Sequence, residues 1–276
     1  MKHFPFFAVY IGKGGNYMKK LILLTLCTAL LLTGCGKQEV ITSAAPPEPS
    51  NTTATHNFEY VTFDAEVMKR EGNNLLLGDL GDTVGSIFYL ITDDDTIKAG
   101  DIVEVTFNGM IMESYPPQLG DPSLKLKEQG TSVLPMLEEI FYELWERDEG
   151  LNDNINLIAV DFDKINVLSD IEKEAFIKIL DNYICTNHDI SVIASNFEKL
   201  KAENMLAPYG ELKDAYHFEN GLIFSFDTQE DTLIPITSLS MTVSKWRSPL
   251  GAYGFVINSK LENNEWTYEI ENEFIS

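Results

Sequence analysis

Apolar and polar positions alternate over residues 58–63 and again over 65–67, the period of half-buried strands. Glu71-Gly72-Asn73-Asn74 reads as a turn into Leu75-Leu76-Leu77, and a β-branched and aromatic run fills residues 85–91. Lys98-Ala99-Gly100-Asp101 is a second turn, feeding Ile102-Val103-Glu104-Val105-Thr106-Phe107. Asn108-Gly109 then signals a hairpin to residues 110–113. Short strands this closely spaced predict a small OB-like β-barrel domain over residues 58–121.

Beyond it the period changes. Apolar residues at 133, 134, 137, 140, 141 and 144 have helical spacing, and residues 155–160 read as a short apolar strand. Ser169-Asp170-Ile171-Glu172 is a capping box opening a helix whose inner face carries Ile171, Ala175, Ile179 and Leu180. Ser195-Asn196-Phe197-Glu198 is a second such box, with Asp189 or Ser191 as an earlier start for that helix. Strands are predicted over 215–226, 238–245, 252–261 and 266–271, the last two joined by a hairpin at Glu262-Asn263-Asn264-Glu265. Residues 122–276 therefore predict an α+β domain with helices first and an antiparallel sheet after, and the fold class of the whole body is α+β.

The N-terminal segment has a different character. Met18-Lys19-Lys20 is followed by an uncharged apolar stretch over 21–32, of signal-peptide length and short of a spanning helix. Leu32-Thr33-Gly34-Cys35 closes it and resembles the lipobox of bacterial lipoproteins, which implies a diacylglyceryl group on Cys35 and a lipid-anchored, extracytoplasmic address at the cell membrane. Two acyl chains anchor stably, at about 0.8 kcal/mol per buried methylene. Residues 18–34 are then the signal peptide and 35–57, rich in Ser, Thr, Ala and Pro, a tether that holds the body off the surface. Residues 1–17 read as a mis-called start: Lys13-Gly14-Gly15 can be encoded by a purine-rich ribosome-binding string ahead of Met18.

Charge sharpens this picture. The 276 residues hold 20 Lys and Arg against 43 Asp and Glu. All basic residues of the leader leave with it, so the mature chain carries a net charge of −27. Such a body is repelled by nucleic acid, whose binding needs a basic face, and by anionic headgroups. The expected partners are thus the membrane, through Cys35, and an unknown envelope ligand or protein. After processing, Cys185 is the only free thiol and no disulfide framework is possible within one chain.

Lys98-Ala99-Gly100-Asp101-Ile102-Val103-Glu104-Val105-Thr106-Phe107-Asn108-Gly109, followed by Met112-Glu113-Ser114-Tyr115-Pro116-Pro117-Gln118, resembles a domain of unknown function in YobA-like lipoproteins of Gram-positive bacteria. The resemblance covers about residues 58–120. It departs at Phe107, where Tyr is common, and at Pro117, where Ala is common. It implies kinship and no activity.

Candidate chemistry is sparse. Asp93-Asp94-Asp95 lacks the spacing of a calcium loop, and Asp161-Phe162-Asp163 at a strand end lacks a phosphate cradle. Cys185, His188 and Asp189 lie near a helix end, poorly placed for a thiol–imidazole pair. His56 and His217 have no metal-ligand spacing, and no Gly-x-Ser-x-Gly elbow occurs. No catalytic residue, metal site or cofactor is therefore assigned. Residues 169–226 imitate the layout of a winged helix, which the acidic charge argues against. The binding candidate is Trp246, Arg247 and Tyr253: aromatic faces beside one of only three arginines can clamp a planar or anionic group. The expected function is a ligand- or protein-binding lipoprotein; the alternative is an extracytoplasmic hydrolase assembled from distant residues.

Overall fold

The computed structural model of the chain describes residues 59–212, 214–228 and 236–276. Cys35, the leader, the tether and His56 lie outside the described residues.

The first sheet is built from β1 (Val61–Glu71), β2 (Asn74–Asp79), β3 (Ile87–Ile91), β4 (Ile102–Phe107), β5 (Ile111–Met112), β6 (Gln118–Leu119) and β7 (Ser123–Glu128), in the order β5-β6-β3-β2-β1-β4-β7. From Val61 onward, the two alternating runs expected at its start lie on one long strand. Phe63, Ala65 and Val67 point inward from it, joining Leu75, Leu77, Phe88, Leu90, Val103, Val105 and Phe107 in one apolar cluster. A bulge then interrupts β1: Val67 opposes Leu77 and Lys69 opposes Leu76, which leaves Met68 as the extra residue. The inserted residue reverses the alternation. Met68 is fully buried on the opposite side of the sheet, against the helices. Lys69 and Glu71 now share that outer face with their partners Leu76 and Asn74.

Two expectations for this region are corrected. Asn108-Gly109 does not join β4 to β5 as a hairpin: β4 pairs with β1 and β7, while β5 pairs with β6. The boundary at 121/122 also falls inside the sheet, because Ser123–Glu128 is its last strand.

The second sheet has the order β15-β14-β13-β12-β8-β9, from β8 (Leu157–Asp161), β9 (Ser191–Ala194), β12 (Gly221–Thr228), β13 (Ser238–Ser248), β14 (Gly251–Glu262) and β15 (Glu265–Ile275). A small pair, β10 (Ala207–Pro208) and β11 (Tyr216–His217), lies beside it in sequence. The sheet is mixed: β12 to β15 form an antiparallel meander, but β8 runs parallel to both β12 and β9. Asn263 and Asn264, both at positive φ, close the β14–β15 hairpin as a two-residue turn requires.

Both long helices pack on one face of this sheet. α1 (Leu134–Glu146) has proline in its first turn, where a missing N–H costs nothing, and buries Leu137, Ile140, Phe141 and Leu144. α2 (Asp170–His188) starts at the expected capping box. Ser169 Oγ accepts from the Glu172 amide and the Glu172 carboxylate accepts from the Ser169 amide. It ends where Asp189 turns left-handed at φ 56°. Met68, Leu76 and Ile87 of the first sheet join the same cluster as Phe141, Phe176, Phe224 and Phe255, so the helices lie between the two sheets within one core. The described body, from Glu59 onward, falls in a single compact unit. The other face of the second sheet carries α3 (Phe197–Ala202), whose Leu200 packs with Ala159, Ile223 and Phe218.

Glu66 sits where β1 faces the start of α2. Burial, together with the neighbouring Glu172 carboxylate, pushes its carboxyl up to about 7. The folded state therefore holds a proton that the unfolded chain releases near pH 4.5. Stability must fall as pH rises from about 5 to about 7 and then level off. At about 1.4 kcal/mol per unit, reduced because the group is partly exposed, the loss is about 2 kcal/mol. Urea unfolding at pH 5, 6, 7 and 8 will show this slope, and Glu66→Gln will remove it while stabilising the protein at pH 8.

Candidate functional site

The reversal at the β1 bulge decides what the outer face of the first sheet offers. Lys69, Glu71, Asn74, Leu76 and, from β3, Tyr89 all stand on that face opposite the second half of α2. From α2 the helical spacing brings Ile179, Asn182, Tyr183, Thr186 and Asn187 to the same space. Between them lies a cleft of about 350 Å³. Leu76 and Ile179, both buried, make its apolar floor.

The polar groups around the cleft are held by one another. Lys69 Nζ lies 2.6 Å from Glu138 and 2.8 Å from Glu71. Burial alone would lower its pKa, but the hydrogen bonds to the two carboxylates more than offset that and hold it above its ordinary value. Tyr142 Oη donates to the same Glu138 at 2.5 Å; burial first, and then this carboxylate, pushes the phenol far up. The Tyr142 ring lies against Tyr183, with centroids 4.2 Å apart. Tyr183 is thus backed by a second ring while remaining partly exposed at the cleft. Asn182 Nδ2 donates to Tyr89 Oη at 2.8 Å, and Asn187 Nδ2 donates to the Tyr183 carbonyl at 2.6 Å. Among the described residues, the side chains of Asn74 and Thr186 and the hydroxyl of Tyr183 make no hydrogen bond.

Trp246, Arg247 and Tyr253 are not brought together as a clamp. Trp246 opposes Ala252, while Tyr253 opposes Lys245. Paired residues share a face and neighbours alternate, so the two aromatic rings leave opposite faces of the sheet. Trp246 packs edge-on against Phe197 at 5.4 Å in the small cluster under α3. Tyr253 is buried and donates to Glu273 at 2.7 Å. Arg247 donates to the carbonyls of Leu151, Asp153 and Glu219 at 3.0, 2.8 and 2.7 Å, which ties the loop before β8 to the loop before β12. Three of its five N–H donors are thus taken up by the protein's own backbone.

The remaining candidates also have local roles. Asp94 accepts from the amide and hydroxyl of Thr96, and Asp93 accepts from Asn73. Asp161 accepts from the Asp163 amide, and Asp163 accepts from Asn196. Cys185 is exposed, its carbonyl caps α2 through the Asp189 amide, and His188 lies 5.2 Å from Trp145, ring to ring. His217 packs edge-on to Tyr209. Among the described residues no group of three or more His, Cys, Asp or Glu is placed to hold a metal ion, and no helix is long and apolar enough to cross a membrane.

Sequence reasoning missed the cleft because its residues come from four separate segments. The one available signal is the break of alternation at Val67-Met68-Lys69, where an apolar residue occupies the polar phase. No protein-family model, no curated protein and no solved structure matches this chain.

Proposed function

We propose that the chain is a lipid-anchored, extracytoplasmic binding lipoprotein, and that the cleft between the first sheet and α2 is its ligand site. The cleft carries this reading: an aromatic ring backed by another, an apolar floor, and carboxamides and hydroxyls with bonding capacity left over. That is the composition of a small-molecule site, and its volume lies at the lower end of the usual range of about 300–1,000 Å³. The Lys69–Glu138–Tyr142 network behind Tyr183 holds its walls in place before any ligand arrives.

Support for the anchor comes from the order of the positive start, apolar stretch and Leu32-Thr33-Gly34-Cys35. Kinship with YobA-like lipoproteins rests on residues 98–118. An OB-like roll of the first sheet draws support from two pairings: β6 runs parallel to β3, and β7, three residues further on, runs antiparallel to β4. Cells fed a clickable fatty acid will label the chain and retain it in the membrane fraction. Cys35→Ser will abolish both. Label that survived this substitution would refute the anchor.

A further inference from the structure

We infer that the cleft takes an uncharged saccharide, an inference that rests on the reading of the cleft as a ligand site. Three observations converge on this chemistry. First, charge excludes the obvious competitors. Among the described residues Lys69 is the only cation lining the cleft, and it is already engaged by Glu138 and Glu71, so none of them offers a free positive group to a phosphate or carboxylate. Glu71 is mostly exposed and would repel an anion further.

Second, the bonding capacity left on the polar groups matches a sugar. Each hydroxyl of a sugar both donates and accepts, and a carboxamide offers both functions in one plane. Asn74, Asn182 and Asn187 supply three carboxamides, and Thr186 and Tyr89 add hydroxyls. A purely apolar ligand would strip water from these groups without replacing its hydrogen bonds. Third, Tyr183 presents an aromatic surface braced from behind by Tyr142. The apolar C–H face of a pyranose ring packs on such a surface, while its edge meets the amides. A peptide main chain fits less well. Asn74 and Leu76 lie on β2, whose backbone is paired on both sides by β1 and β3, so no strand edge is offered to it.

The test is calorimetric titration of the full processed chain, in micelles of a sugar-free detergent. The probes are neutral tetrasaccharides of glucose, mannose and N-acetylglucosamine, with neutral and cationic tetrapeptides as the other arm. At least one saccharide is expected to bind. Tyr183→Ala should weaken it ten-fold or more and Tyr183→Phe only slightly. Asn74→Ala should weaken it several-fold with no change in unfolding temperature, because among the described residues its side chain makes no hydrogen bond. Saccharide binding that ignored both Tyr183→Ala and Asn74→Ala would overturn the inference. Peptide binding that Tyr183→Ala abolished, with no saccharide bound, would overturn the saccharide while keeping the cleft as a site. Binding of neither panel would overturn both.

Discussion

Gly100→Ala is expected to destabilise the protein by about 3 kcal/mol or more, a large share of the usual margin of about 5–15 kcal/mol. Two costs coincide at this position. Its φ of +90° is a conformation that L residues avoid, and a methyl group there would lie 2.4 Å from the Thr131 carbonyl carbon and 2.6 Å from the Ser132 nitrogen. Neither neighbour can swing aside, because both are backbone. The contact is reciprocal: a methyl on Gly130 would meet the Gly100 carbonyl oxygen at 2.0 Å. Around it, Asp101 is buried and accepts from the amides of Lys98 and Gly130 at 2.8 and 3.0 Å, while Gly100 donates to Val67 at 2.7 Å. One knot thus holds the turn before β4, the bulge in β1 and the exit of β7 toward α1. Gly72→Ala is the control. Gly72 also has positive φ, but no atom approaches its missing Cβ within 4 Å, so about 1 kcal/mol is expected. Urea unfolding of Gly100→Ala and Gly72→Ala gives the ranking. Gly100→Ala combined with Gly130→Ala should cost less than the sum of the singles, since both break the same contact. Equal costs at Gly72 and Gly100 would show that backbone conformation alone matters, and the knot would lose its role.

The same knot shows what a sequence can and cannot disclose. Lys98-Ala99-Gly100-Asp101 announces a turn because its residues are local turn chemistry. That Gly130 presses against it is set by tertiary packing and leaves no periodic trace. The capping box at Ser169 and Glu172 was legible for the same local reason, as was the Asn263-Asn264 turn. Residues 191–194 were not: with Asp189 or Ser191 as an earlier start, they read as an alternative first turn of the helix opened by the Ser195 box. They form a parallel strand because β8 leaves an edge beside them. Alternation and turn signals located β1 to β4, but not β6 or β7, nor the residue that reverses the phase of β1. A bulge depends on a partner strand that the local pattern does not contain. The candidate site inherited that blindness. Trp246, Arg247 and Tyr253 stand out by rarity and proximity in sequence, yet strand geometry sends the two rings to opposite faces. The cleft residues are common types whose only distinction is where the bulge and α2 place them.

Lys245→Ala is the second substitution expected to cost about 3 kcal/mol, and comparison with Lys245→Met separates its causes. Along β13, Leu239, Met241 and Val243 occupy the buried phase of the alternation, and Lys245 follows them in that phase. Its side chain is fully buried. Nζ donates to the Trp145 carbonyl at 3.1 Å and to Asn152 Oδ1 at 2.9 Å, fastening the end of α1 and the turn after it to the sheet. Burial lowers its pKa to about 8, with Asp148 and Glu149 opposing the shift. Because the folded pKa lies below the unfolded one, the unfolded chain binds more protons between pH 8 and pH 10.5. Stability should therefore rise with pH across that window in the wild type, and the rise should vanish in both variants. At pH 7 the buried charge opposes folding, while the four-carbon stem supports it through packing. Alanine removes the stem and leaves a cavity, at about 2–5 kcal/mol for a change of this size. Methionine keeps the stem's volume and removes the charge. Asn152 Nδ2 still satisfies the Trp145 carbonyl at 2.7 Å, so only Asn152 Oδ1 loses a partner. Lys245→Met should accordingly stay within about 1 kcal/mol of the wild type, as buried charges replaced by apolar groups of similar volume often do. Should methionine cost as much as alanine, the hydrogen bonds to the end of α1, rather than the packed stem, would be what Lys245 contributes.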